Sequence, residues 1–338
     1  MAQLSHQRLA VLLALAVAGA GVVVAIALGS SDEPVRAAAA STAAAAPLSG
    51  LPLVALPPVA GVKADDRLGS LQALATQDPT RADVQMAIGS EQLVRGDRAA
   101  ATAAFTAARK LGEPAADVAL VVASYNAKAP DATISRLELL SSSSPFARYE
   151  LGVVQLWAGR LPQATAALKA VRDAASESFY GVKADDLLHP TMQPGYPLFV
   201  PADDPPDGAT EASLKAAADA APNDAKAQLQ YGSALQSVGR RQEALAVYGQ
   251  ALKADPTSIE AQVALALAAF KKDDPAKAFG TVGPLVRDRK DDPSPRFHLA
   301  MMLLWIGQPE KAQAEFRQVA GEAAGTRLAR LAEFFAPS

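Results

Sequence analysis

Small residues recur along this chain at a fixed spacing: Gly232 is followed 34 residues later by Ala266, and Ala300 follows 34 after that. A period of roughly 20–50 residues marks a chain built from stacked copies of one supersecondary unit. The clearest unit reads DAKAQLQYGSALQSVGRRQEALAVYGQALKADP and ends at Pro256. Leu229, Gly232 and Leu235 share helical spacing in its first half, and Ala244, Leu245, Tyr248 and Leu252 do so in its second. Gly239 breaks the chain between them and Pro256 closes the second helix. Earlier, Gly89 is followed 34 residues on by Ala123, and then by Gly152 after a shorter step of 29. One helix pair cannot bury its own apolar face, so such pairs must stack, and about three are the minimum for stability. Alanine dominates many segments and aromatic residues make up only 5% of the chain, which suits close helix packing. The spacing predicts an all-α protein.

These marks resemble the tetratricopeptide repeat (TPR), a 34-residue helix–turn–helix unit. The resemblance rests on Tyr231-Gly232, Ala244, Tyr248, Ala251 and Pro256, then on Leu265-Ala266 and Ala278, and then on Leu299-Ala300, Gly307, Ala312 and Phe316. Upstream it rests on Ile88-Gly89, Gly96, Ala101, Phe105 and Ala108, and on Leu151-Gly152, Gly159 and Ala164. The repeat over Pro114–Pro145 is shortened, and Val282 stands where an aromatic is usual. The likeness covers most of Asp65–Phe335 and implies an α-α superhelix whose first helices line a concave, peptide-binding groove.

A larger repetition lies above the single repeat. PFARYELGVVQLWAGRLPQA, from Pro145, aligns without gaps on PSPRFHLAMMLLWIGQPEKA, from Pro293, and this superposes Trp157 on Trp305, the only tryptophans. Ser70-Leu71, Pro79 and Gly89 align with Ser213-Leu214, Pro222 and Gly232 at one constant offset. We expect two three-repeat blocks, 61–188 and 210–336, the second closed by a capping helix and the two separated by a Pro-rich insertion, 189–209. The hexapeptide GVKADD occurs at Gly61–Asp66 and Gly181–Asp186, at the expected head of each block. Carboxylates favour the first turn of a helix, so its aspartates are expected to start helices.

Ahead of the repeats, residues 9–28 read LAVLLALAVAGAGVVVAIAL, twenty residues without a charge, enough to cross a bilayer core. Arg8 before it and Asp32 and Glu33 after it place residues 1–8 in the cytoplasm and the bulk of the chain outside. Ala25-Ile26-Ala27 leaves a cleaved signal peptide as the other reading, with secretion in place of a single-pass anchor. Residues 29–60, rich in Ala and Pro, read as a linker, although LPLVALPP could dock on the first helices.

The formal charge of −3 gives no basic footprint for nucleic acid. The chain has no cysteine, and its histidines, His6, His189 and His298, are far apart. There is no P-loop, GxSxG elbow or HExxH, and DDPPDGATE lacks ligands a calcium loop needs where Pro205 and Leu214 sit. We therefore expect no catalysis, cofactor, metal or small-molecule substrate.

Two apolar stripes are the candidate protein-binding groove: Tyr149, Val153, Leu156 and Trp157, and their counterparts Phe297, Met301, Leu304 and Trp305. The competing reading of the second stripe is packing under the final helix through Leu328, Leu331, Phe334 and Phe335. Leu229, Ser233, Val263, Leu267 and Met301 provide no charged clamp for a partner's C-terminal carboxylate, so a groove here would favour apolar or backbone contacts. Tyr196, Leu198, Phe199 and Val200 of the insertion form a candidate docking segment, extended like the ligands such grooves accept, with a plain exposed linker as its rival. The expected function is an extracytoplasmic protein-interaction scaffold, or alternatively an assembly factor resembling TPR components that hold clients during cytochrome c maturation or envelope secretion.

Overall fold

The computed structural model describes residues 50–142 and 144–336, and every regular element among them is a helix. The expected membrane-crossing stretch, 9–28, lies outside the described residues, and none of the described helices is long and apolar enough to cross a membrane. The chain divides into two compact units, 1–173 and 174–338.

Unit 1 runs through α1 (Arg67–Gln77), α2 (Ala82–Val94), α3 (Arg98–Lys110), α4 (Ala115–Ala123), α5 (Pro130–Ser141), α6 (Pro145–Trp157) and α7 (Leu161–Ala174), whose last residue crosses the border. Helices α2 and α3 pack together, as do α5 and α6, and α4 packs on α6. Unit 2 contains α8 (Phe179–Leu188), α9 (Glu211–Ala220), α10 (Ala225–Ser237), α11 (Arg241–Ala254), α12 (Ile259–Ala268), α13 (Pro275–Asp288), α14 (Pro293–Trp305), α15 (Pro309–Glu322) and α16 (Arg327–Phe335). Here α10 pairs with α11 and α14 with α15, while α10, α12 and α14 touch in succession as an inner row that α16 continues.

Short polar residues start these helices. Asp66, Asp97 and Ser144 in unit 1, and Ser178, Asp224, Ser258 and Thr326 in unit 2, each accept a first-turn N–H that has no partner inside its helix. Gly96 and Gly239 turn the chain between paired helices at φ +79° and +82°, where a side chain would be strained.

The repeat spacing has a direct cause in packing. Three of the glycines at the repeat positions lie against a large side chain sixteen residues later in the following helix: Gly89 on Phe105, Gly152 on Leu168 and Gly232 on Tyr248. A Cβ on Gly89 would lie 2.3 Å from Phe105 Cε1, and one on Gly232 would lie 2.4 Å from Tyr248 Cε1. Phe105 and Tyr248 are 0% exposed, and burying such a ring is worth roughly 1.5–3 kcal/mol. A small residue in the first helix is thus what admits the ring of the second.

The two copies of GVKADD adopt different structures. Gly61–Asp66 is a turn, in which Asp66 caps α1 by accepting from Gly69 N at 3.1 Å, as expected. Gly181–Asp186 lies inside α8, so Asp185 and Asp186 sit near a helix end rather than starting one. The helix there is started by Ser178, and Gly181 is needed because a Cβ would lie 1.9 Å from Ala175 O.

Candidate protein-binding grooves

Within unit 2, residues 196–202 run extended across the inner helices, with Pro197, Phe199 and Pro201 buried and Leu198 facing out. Extended backbone has no internal hydrogen bonds, so its polar groups must be met from outside. Gln236 on α10 meets two of them, accepting from Phe199 N at 3.0 Å and donating to Pro197 O at 3.3 Å. Ser233, one turn earlier, donates to Phe199 O at 3.1 Å. On α14, His298 Nε2 accepts from Val200 N at 2.9 Å, and on α12 Glu260 accepts from Ala202 N at 2.7 Å. Arg327 on α16 donates to Pro201 O at 2.7 Å.

Phe199 is the anchor of this segment. Its ring stacks on His298 at 5.0 Å between centroids and meets Tyr248 edge-on at 5.5 Å. His298 is 0% exposed. Its Nδ1 lies 2.7 Å from Ser294 O, which can only accept, so Nδ1 carries the proton and Nε2 keeps a free lone pair for Val200. Burial holds the imidazole down at about 4, only partly offset by the bond to Ser294, and the ring is neutral.

The near end is fastened by charge. Tyr196 donates to Asp185 at 2.9 Å beneath the Arg241 guanidinium, 3.9 Å from its ring centroid. Burial, reinforced by Asp185, raises the Tyr196 phenol. Asp186 accepts from Gly195 N at 2.8 Å and pairs with Lys272 at 2.5 Å, the lysine side chain being 0% exposed.

Unit 1 holds a segment in the same way. Pro52 and Val54 are buried and the residues around them extended. Ser90 on α2 donates to Val54 O at 2.7 Å, and Glu150 on α6 accepts from Ala55 N at 2.9 Å. In the alignments that superpose Gly89 on Gly232 and Trp157 on Trp305, Ser90 falls on Ser233 and Glu150 on His298. Pro52-Leu53-Val54-Ala55 therefore takes the place of Pro197-Leu198-Phe199-Val200. Glu150 is 0% exposed, and burial lifts its carboxyl to about 8, tempered by the Ala55 bond, so it carries a proton at neutral pH.

The expected groove residues divide accordingly. Phe297 and Met301 are buried with Phe316 and Leu328, while Val200, Leu304, Trp305, Leu331 and Phe335 pack against that cluster half-buried. The second stripe is thus covered by α16 and by the extended segment, although Phe334, expected to help, is 57% exposed. Tyr149, Val153 and Trp157 are buried and Leu156 half-buried. The polar readers Ser90, Glu150, Gln236, Glu260 and His298 were not singled out from sequence. A signal existed: Glu150 and His298 are lone polar residues in apolar runs at one aligned position.

Helix–turn–helix pairs whose inner members grip extended chain define an α-helical repeat fold. Residues 225–270, spanning α10 to α12, match the family model described as tetratricopeptide repeat. The crystal structure of the yeast Tom70 is similar at 12% identity and a TM-score of 0.29, over 80% of this chain and 57% of that one. The crystal structure of the P58(IPK) TPR domain is similar at 14% identity and a TM-score of 0.24, over 79% of this chain and 91% of that one. A search of curated proteins finds no match.

Proposed function

We propose that this chain is a non-catalytic protein–protein interaction scaffold, built as two copies of one eight-helix block and held at the outer face of a membrane by residues 9–28. The observation that carries the interaction role is the way inner-helix side chains bond the backbone of extended chain: Ser90 and Glu150 in unit 1, Ser233, Gln236 and His298 in unit 2. Backbone bonding of this kind sets a preference for extended, unstructured segments and leaves side-chain specificity to a few pockets. The same tolerance suits the narrower role of holding unfolded clients for an envelope assembly process. The location rests on the uncharged stretch 9–28 and the charges flanking it.

Photo-crosslinkers at Leu53 and Leu198, beside the buried anchors, test this in cells. Discrete adducts with other proteins are expected at one or both positions. Adducts only within the chain would remove the scaffold reading. Protease added outside intact cells should cut the repeat region, and full protection there would remove the proposed location.

A further inference from the structure

The two extended segments are held in one register but not with one strength. In unit 2 the anchor is a phenyl ring, Phe199, 1% exposed, and in unit 1 the same place holds the smaller Val54. Gln236, which bonds the unit 2 backbone twice, is replaced in register by Leu93, which can bond it not at all. Ala202 gives its N–H to Glu260, whereas its counterpart Pro57 has no N–H to give. Among the described residues, side chains bond the unit 1 segment through Ser90 and Glu150.

Unit 1 also has unused bonding capacity at this place. Glu150 spends one carboxyl oxygen on Ala55 N, while its other oxygen, Oε2, is buried and has no hydrogen-bond partner among the described residues. Buried polar groups are nearly always paired in native proteins, so an orphan beside a bound segment points to a ligand that is better matched than the one in place. His298, in the same register, is satisfied at both ring nitrogens.

We propose that the unit 1 groove is a receptor for an extended partner segment of the form Pro-Leu-aromatic-aliphatic, and that residues 52–55 are a displaceable occupant of it. This rests on the scaffold reading above and adds the class of segment and the groove that takes it. The preferred sequence is the one the equivalent groove already holds, Pro197-Leu198-Phe199-Val200. An aromatic side chain outcompetes valine because it buries more apolar surface at the anchor position. With Oε1 accepting from the segment backbone, the protonated carboxyl presents its O–H at Oε2, and an added acceptor on the incoming segment pairs it.

The test uses the full chain and a fluorescein-labelled peptide, GYPLFVP, carrying a diazirine at its leucine. Val54→Asp expels the resident segment by putting a charge in its pocket, and Ala55→Pro weakens it separately by removing the N–H that Glu150 accepts. Both should bind the peptide at least 10-fold more tightly than the unsubstituted chain by anisotropy, with helical circular dichroism retained. Crosslinks should map to 82–94 and 145–157. Equal affinity for all three proteins would overturn the proposal, and so would a gain in affinity with crosslinks confined to unit 2. The in-cell adducts at Leu53 do not depend on the partner's sequence, so the scaffold reading can stand when the peptide fails.

Discussion

The backbone N–H of Val200 donates to His298 Nε2 at 2.9 Å while the opposite ring nitrogen, 2.7 Å from Ser294 O, donates away. Only a neutral imidazole can make both bonds. The groups against this ring are Phe199, stacked on it, and Phe297, edge-on, neither of them charged.

Acid should therefore loosen unit 2. The His298 value is lowered from 6.5 to about 4 on folding, so the native state binds fewer protons. Its contribution is complete above pH 6.5 and is lost as pH falls toward 4, by on the order of 3 kcal/mol at most for a fully buried group. In a Trp157→Phe background, Trp305 fluorescence should show the urea midpoint falling over that window. His298→Gln, which keeps an acceptor but does not titrate, should flatten the slope.

Unit 1 should respond in the opposite sense. Glu150 is raised from 4.5 to about 8, so the native state keeps a proton that the unfolded chain gives up. Stability is greatest below pH 4.5 and declines as pH rises through 8. With Trp305→Phe, Trp157 should report a melting temperature that drops between pH 5 and 9 in the parent. It should vary little in Glu150→Gln.

Gly232→Ala puts a methyl group 2.4 Å from the Tyr248 ring and should cost about 1–3 kcal/mol through overpacking. Gly249→Ala, on the following helix α11 with nothing within 4 Å of the new Cβ, should stabilise by up to about 1 kcal/mol. Denaturant melts of the two single variants should therefore move in opposite directions, although both replace a glycine by alanine in a helix.

Removing Asp186 should be worse than removing its partner. Asp186→Ala strands the fully buried Lys272 ammonium and should cost about 3–5 kcal/mol, whereas Lys272→Met leaves a 14%-exposed carboxylate that still accepts from Gly195 N. Limited proteolysis should cut 196–202 rapidly in the first variant and slowly in the second.

Much of the helix pairing was legible because it is local and periodic: Gly89 and Gly232 are small because Phe105 and Tyr248, sixteen residues on, need their space. Residues 51–56 fall in a stretch read as linker, with docking on the first helices left open, because proline and small side chains give no helical period; in the structure Pro52 and Val54 are buried against a surface assembled from distant helices. GVKADD shows the same limit, since an identical hexapeptide is a turn after Pro57-Pro58 and a helix after the Ser178 cap. Local propensity is a weak prior that tertiary surroundings override. Glu150 and His298 are polar residues in apolar runs that the sequence reading passed over, and only the structure shows the backbone N–H each receives.

In both units the extended segment precedes its groove in the chain: residues 51–56 come before α2 and α6, and residues 196–202 before α10 and α14. Synthesis runs from the N-terminus, so each occupant leaves the ribosome before the surface that will hold it exists. The tether then keeps it at an effective concentration near millimolar, which any free competitor must exceed or out-bind. Each groove is thus made around a ligand already present, and a newly made chain need never display an open apolar cleft to its neighbours.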